Sequence, residues 1–137
     1  MGHYIDPSLI TDSVIKRFLD NGDNLEDYFD EADFEMLSLA RRKGVQTASQ
    51  ISVNETTGYV ETHELQRYLV YYVCMRVAED KIGANSTDVQ PDDVYQVKYD
   101  HYSRKVAEYD GKITADTIVG QQFDREDMVS TAYGLRG

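Results

Sequence analysis

The stretch THELQRYLVYYVCMRVAEDKIG, residues 62–83, carries the strongest helix signal in the chain. Thr62 is a residue type that caps the amino termini of helices, and Gly83 is a type that ends them. Between Leu65 and Val77 the stretch is apolar almost all round. A helix that is apolar on every side is buried, so we expect it to lie at the centre of a helical bundle.

A second helix, rich in tyrosine, is predicted from the sequence that follows. DDVYQVKYDHYSRKVAEYDG, residues 92–111, comes after Pro91, which favours the first turn of a helix. Steps of four, three, four and three residues place one set of side chains on a single face, namely Tyr95, Tyr99, Tyr102, Val106 and Tyr109. A tyrosine ring can be buried while its hydroxyl reaches water or a partner. The stripe is therefore either a wet core, in which the rings pack against Tyr71 and Tyr72 while the hydroxyls reach water, or a face that packs against another subunit.

Two further helices are predicted in the amino-terminal part. Asp6 and Pro7 are a capping residue followed by a proline, which predicts a helix from Pro7 to about Asp20. In residues 25–43 the acidic residues crowd the first turns and the basic residues the last, which matches the helix dipole. We therefore predict a second helix over these residues.

The loop between the second helix and the apolar helix has turn chemistry. Asn54 and Gly58 are its expected pivots, and one short helical turn is possible within residues 45–60. The predicted fold is all-α: a small bundle of about four helices, formed by residues 1–111, with an extended carboxy-terminal tail.

The tail is predicted to comprise residues 112–137, which lack apolar repeats of helix length. KITADTIVG, residues 112–120, predicts either a short strand or a short helix capped by Thr114. A tail with apolar anchors but no core of its own either docks on a partner or is a frayed terminus. The candidate docking residues are Ile118, Val119, Phe123, Met128, Val129, Tyr133, Leu135 and Arg136.

The net charge of −11 limits the partners of this 137-residue chain. Duplex DNA is bound by neutralising its phosphates with Lys and Arg, so the chain is not expected to wrap DNA. Acidic charge fits a surface past which DNA slides, a surface that imitates DNA, or plain solubility. Acids are concentrated between residues 20 and 35, where a solvated helix face and an acidic surface with a function are both possible. The candidate face consists of Asp23, Glu26, Asp27, Asp30 and Glu31.

Motifs of catalysis and of metal binding are not found. The stretch HELQR, residues 63–67, begins like a zinc-protease motif but has Arg67 where the second histidine belongs. A calcium loop starting at Asp20 would need glycine where Leu25 stands. The histidines are far apart in sequence, at His3, His63 and His101. We predict no catalytic residue, no cofactor and no metal, and we expect that the protein is not an enzyme.

The single cysteine and the apolar runs indicate a soluble, cytosolic-type protein that either resides in a reducing compartment or is indifferent to redox conditions. Cys74 has no partner for a disulfide within the chain, and its apolar surroundings predict a buried side chain. The longest apolar run, residues 68–75, is too short to cross a bilayer. No secretory signal is visible at the amino terminus.

The order of these elements resembles the head–tail connector (adaptor) proteins of tailed bacteriophages. The resemblance is carried by TGYVETHELQRYLVYYVCMRVAEDKIG, residues 57–83, followed by DDVYQVKYDHYSRKVAEYDGKITADTIVG, residues 92–120. An apolar helix, a helix with the pattern Y-x-x-K-x-x-x-Y, and a short ITAD segment are similar to the core of that family. The resemblance extends from about Ile5 to Val119.

The resemblance implies a structural virion protein of the neck, made in the host cytoplasm. Such proteins form a homo-oligomeric ring, typically twelvefold, between the portal protein and a further neck or tail component. The tail, from about Ile118 to Arg136, would then dock on the portal, and the tyrosine stripe would pack neighbouring subunits. Part of the acidic face would line the channel, through which DNA passes without specific binding.

One alternative is a monomeric acidic protein that occupies a basic site on its partner, as inhibitors that mimic DNA do. It predicts salt-sensitive binding through the acidic face and a dispensable tail. The connector hypothesis predicts the reverse dependence.

Overall fold

The computed structural model describes residues 3–20, 24–84 and 94–120. Within these ranges the secondary structure is helical, apart from one isolated bridge between Val53 and Val60. The helices are α1 (Ser13–Asp20), α2 (Asn24–Arg42), α3 (His63–Ala84), α4 (Val94–Lys112) and α5 (Ala115–Val119), with 3-10 turns at Pro7–Leu9 and Ala48–Gln50. The prediction of an all-α bundle of about four longer helices is confirmed.

Helix α3 lies at the centre, as its all-round apolar character predicts. It packs most extensively against α4 and also contacts α1, α2 and α5. Its residues Leu65, Leu69, Val73 and Val77 are fully buried. None of the described helices is long and apolar enough to span a membrane.

Helix α2 runs antiparallel to α3, and hydrogen bonds join the two along their length. Near one end the Tyr28 hydroxyl donates to Asp80 over 2.6 Å, and further along the Tyr68 hydroxyl donates to Glu35 over 2.6 Å. The core between the helices is filled by apolar side chains of α2, including the fully buried Phe29.

The predicted first helix, from Pro7 to about Asp20, is wrong in one respect: it is broken. A single 3-10 turn covers Pro7–Leu9, and Ile10 is extended and buried. A new helix then begins because the Asp12 carboxylate accepts hydrogen bonds from the amides of Val14 and Ile15, at 3.0 and 3.2 Å. This is amino-terminal capping by aspartate.

The prediction that the tail begins at residue 112 is also wrong, since residues 113–120 fold back onto the bundle. Thr114 caps α5 through a capping box, which confirms the helical alternative for this segment. Ile113 and Ile118 are buried, and the Ile118 carbonyl accepts a hydrogen bond from the Ser52 amide at 2.8 Å. The apolar side chains of ITADTIV, residues 113–119, thus complete the core of the chain's own bundle.

The predicted turn between α2 and α3 is confirmed at its two pivots. The Asn54 side chain accepts hydrogen bonds from the amides of Thr56 and Thr57, at 2.8 and 2.9 Å. Gly58 has a φ of +82°, a conformation that favours glycine. The turn positions residues 53–60 beside the amino-terminal segment.

Gly120→Ala is expected to destabilise the fold by about 1–3 kcal/mol, because the site disfavours a side chain in two ways. Gly120 has a φ of +76°, and an added Cβ would lie 2.8 Å from the Ser52 Oγ. Gly111→Ala is the matched control, since Gly111 lies in α4 and a Cβ there meets no atom within 4 Å. Thermal unfolding should show a lower melting temperature for Gly120→Ala and no decrease for Gly111→Ala. Equal melting temperatures would contradict the close approach to Ser52.

Candidate functional site

The tyrosine stripe of α4 faces the bundle, and its members are half-buried. The Tyr102 ring stacks on Tyr71 of α3 with centroids 5.9 Å apart, and Tyr109 lies 5.5 Å from the same ring. Lys81 lies 5.8 Å from the centre of the Tyr95 ring. Tyr71 therefore packs against the stripe as the wet-core alternative predicts.

Tyr102 uses both its ring and its hydroxyl within the chain. The hydroxyl donates to Asp12 over 2.6 Å, and burial together with this hydrogen bond raises the pKa of Tyr102. The side chain is half-buried, and subunit packing stays a prediction for it. Tyr95, Tyr99 and Tyr109 keep part of their surface exposed and remain candidates.

Asp12 connects the start of α1 to α4. Its side chain is only 11% exposed, and it forms an ion pair with Lys98 at 2.8 Å. Burial alone would raise the pKa of Asp12, but hydrogen bonds from Lys98, Tyr102 and the Ile15 amide outweigh burial and lower it. Asp12 is not among the residues predicted from the sequence, although an Asp-Ser pair before an apolar helix is a capping signal.

The carboxy-terminal ends of α2 and α4 are joined by a second ionic cluster. Asp110 of α4 accepts from Arg42 at 3.1 Å and from Lys43 at 2.9 Å. The hydrogen bond from Lys43 is the main reason that the pKa of Asp110 is lowered. Two of the basic residues at the end of α2 therefore have a structural partner.

The predicted acidic face lies on α2 and is partly neutralised by the chain itself. Asp23 lies outside the described residues. The Glu31 carboxylate accepts a hydrogen bond from Arg76 at 2.9 Å, while Glu26 and Asp30 lie near His3. Asp27 is exposed and makes no ion pair within the described ranges.

Phe34 is the most exposed large apolar side chain described, with 72% of its surface accessible. It lines an open groove of about 480 Å³ between α2 and α3, together with Glu31, Glu35, Ser38, Tyr72 and Arg76. The groove places an aromatic ring in the middle of the acidic part of α2.

His3 lies against the same helix and is surrounded by carboxylates. Its Nδ1 is 2.7 Å from Asp33 Oδ2 and its Nε2 is 2.8 Å from Glu26 Oε1. Ligand atoms of His3, Glu26 and Asp30 lie within 4.8 Å of one another, close enough to surround a cation. Both ring nitrogens face carboxylates at hydrogen-bond distance, an arrangement that suits a doubly protonated imidazole donating to both. No local signal in the sequence connects His3 with Asp33.

Of the predicted docking residues, the structure describes two. Ile118 is fully buried, so its side chain is not available to a partner, and the prediction is wrong for this residue. Val119 is half-buried. The others lie outside the described residues: Phe123, Met128, Val129, Tyr133, Leu135 and Arg136.

Cys74 is buried in α3, as its sequence context predicts. Burial raises the pKa of the thiol to about 12, so the thiol stays protonated at neutral pH.

Comparison with family models, with curated proteins and with solved structures finds no match to this chain.

Proposed function

We propose that the protein is a head–tail connector of a tailed bacteriophage: a structural virion protein that forms a homo-oligomeric ring below the portal and links it to the tail. The observation that carries the proposal is the order and packing of the elements. Two amino-terminal helices and a loop precede the central α3, and the tyrosine-rich α4 packs along α3. Helix α5, which begins within the ITAD segment at Ala115, closes the core. The resemblance of the sequence to the connector family rests on the same elements in the same order.

The charge distribution supports a channel that DNA passes without binding. Glu26 and Asp30 expose 71% and 61% of their side chains, and Asp27 is also exposed. A ring repeats this acidic face in every subunit, so phosphate groups would be repelled all around the opening. A basic lining would instead hold DNA by releasing its counterions.

The alternative of a DNA mimic has less support. A mimic needs carboxylates that are free to meet a basic partner, and on α2 several are engaged within the chain. Glu31 pairs with Arg76, Glu35 accepts from the Tyr68 hydroxyl, and Asp33 lies 2.7 Å from His3. Carboxylates that are paired within the chain are less available to a basic partner. Such a surface is better suited to repelling DNA than to imitating it.

The proposal is tested by asking whether the protein is part of a virion and binds a portal. Tagged full-length chain and a chain ending after Gly120 are incubated with lysate of the organism that encodes it, and captured proteins are identified by mass spectrometry. We expect the full chain to recover a portal-type ring protein and the shorter chain to lose it. Purified phage particles should also contain the protein. Its absence from particles would overturn the proposal, and recovery of a basic nucleic-acid-binding protein by both chains would favour the mimic.

Asp27→Lys tests the channel face at a modest cost to the fold, because Asp27 is exposed and makes no ion pair within the described ranges. Asp27 lies in the first turn of α2, so the reversed charge should cost about 1 kcal/mol or less through the helix dipole. If the face lines the channel, each subunit of the ring gains a cation that attracts phosphate. We expect the infectivity of assembled particles to fall about tenfold or more, with Asp27→Asn in between. Full infectivity of Asp27→Lys particles would remove α2 from the channel and leave the rest of the connector proposal standing.

A further inference from the structure

His3 is held between carboxylates in a way that requires a proton on each ring nitrogen. Its side chain is 15% exposed, with Asp33 facing Nδ1 at 2.7 Å and Glu26 facing Nε2 at 2.8 Å. A neutral imidazole has one N–H and can donate to only one of these carboxylates. Both hydrogen bonds are therefore satisfied only when His3 is positively charged.

His3 belongs to a short strap, residues 3–5, that connects α2 with the segment preceding α3. Asp33 anchors the strap twice, because its second oxygen accepts from the Tyr4 amide at 2.9 Å. On the other side, the Tyr4 carbonyl accepts from the Val60 amide at 2.8 Å. Ile5 is buried, at 1% exposure, and fixes the end of the strap in the core. Residues 3 and 4 precede this buried anchor, and the Tyr4 side chain is only partly buried against the core.

The strap forms one wall of a cleft of about 680 Å³. His3, Tyr4 and Asp33 lie on one side of this cleft, and the turn of residues 53–58 lies on the other. The charged groups around the imidazole are the carboxylates of Glu26, Asp30 and Asp33 from α2, with Glu55 on the turn. The residues that line the cleft include no lysine or arginine to replace the charge of His3.

We propose that the strap is a pH-sensitive device: with His3 protonated it holds residues 3 and 4 against α2, and with His3 neutral it releases them and opens the cleft toward the 53–58 turn. Loss of one ring proton leaves a nitrogen lone pair facing a carboxylate oxygen, and it removes the positive charge that His3 places among these acids. The hydrogen bonds of Tyr4, which depend on the position of Asp33, weaken with it. This inference does not depend on the connector function.

The direction of the pH effect follows from the balance of interactions at His3. Burial alone would lower the pKa of His3, but the hydrogen bonds to Asp33 and Glu26 outweigh burial and raise it above the ordinary value. Because the pKa of His3 is raised in the folded state, protonated His3 contributes its full stabilisation of the strap at pH values below the ordinary histidine pKa. That stabilisation is lost as the pH rises through the raised value, so the strap opens on the alkaline side.

The test follows the His3 ring signals by NMR across pH in the full-length chain, with a chelator present, and measures amide-exchange protection factors of Tyr4 and Val60 in the same samples. We expect His3 to titrate above the ordinary histidine range, and both protection factors to fall at least fivefold across that midpoint. In His3→Gln the protection factors should not fall across this pH range. His101 lies on the exposed side of α4, so His101→Gln should show the same fall as the wild type. Protection factors that stay constant through the His3 titration would overturn the proposal.

Glu26→Gln provides a second variant that should not disturb the fold, because the Glu26 side chain is 71% exposed. Removing this carboxylate takes away one of the groups that favour the charged imidazole. We expect the His3 midpoint, and the step in protection with it, to move to lower pH. An unchanged midpoint would show that Glu26 does not hold the Nε2 proton, contrary to the proposed device.

Discussion

Asp12→Ala is expected to lower the free energy of unfolding by about 2–4 kcal/mol, a large effect for one polar residue. Asp12 caps α1 through the amides of Val14 and Ile15, and loss of such a cap costs about 1 kcal/mol. The same carboxylate receives Lys98 and Tyr102 of α4, at 2.8 and 2.6 Å. The variant leaves these partly buried donors without an acceptor, which adds about 1–3 kcal/mol.

Two variants separate the contributions of Asp12. Asp12→Asn keeps a capping oxygen but removes the negative charge. We therefore expect a smaller decrease in the free energy of unfolding, caused mainly by loss of the ion pair with Lys98. Asp6→Ala is the matched control, because Asp6 caps only the short 3-10 turn through Ser8. We expect it to cost less than about 1 kcal/mol. Urea unfolding followed by circular dichroism measures all three, and equal losses for Asp12→Ala and Asp6→Ala would contradict the role of Asp12 between α1 and α4.

The lowered pKa of Asp12 gives this prediction a pH dependence with a definite sign. A carboxyl group whose pKa is lower in the folded state stabilises the fold above its ordinary pKa. The contribution is lost as the pH falls from the ordinary value through the lowered one. The difference between the wild type and Asp12→Ala should therefore be constant near neutral pH and shrink in strong acid.

Local patterns predicted the helices well, since most of their signals lie within one or two turns. The apolar run of α3, the charge asymmetry of α2 and the Thr114 cap of α5 each need only neighbouring residues. The break after the 3-10 turn was missed because Pro7 and the apolar residues beyond it fit a continuous helix. The competing signal, the Asp12 cap, is equally local and outweighs that pattern.

Contacts between distant residues explain what the sequence did not predict. Asp12 and Tyr102 are 90 residues apart, and His3 and Asp33 are 30 apart, so no spacing rule connects them. The tyrosine stripe was recognised, but whether each ring is buried depends on what α3 and α1 place opposite it. The same limitation applies to Ile118, whose side chain has no apolar period of its own but completes a core formed by other helices.

A chain ending after Gly111 is expected to lose about 5 kcal/mol or more of stability, comparable with the whole stability of a small domain. It lacks Ile113 and Ile118, which are 2% and 0% exposed, and each buried isoleucine contributes about 2–5 kcal/mol by large-to-small substitution. It also removes the carbonyl of Ile118, which accepts from the Ser52 amide, and that of Thr117, which accepts from the Thr62 hydroxyl. We expect no cooperative unfolding transition at room temperature.

The chain ending after Gly120 keeps all of these contacts, and we expect it to unfold cooperatively. This difference determines how the docking role of the tail can be tested. Loss of portal binding by the chain ending after Gly111 would reflect an incomplete core, whereas loss by the chain ending after Gly120 would assign docking to residues 121–137. Ile118→Ala in the full chain, with an expected cost of about 2–4 kcal/mol, isolates the packing contribution without removing the tail. If the chain ending after Gly111 unfolds cooperatively at the same urea concentration as the full chain, α5 is not part of the core, and the boundary of the tail returns to residue 112.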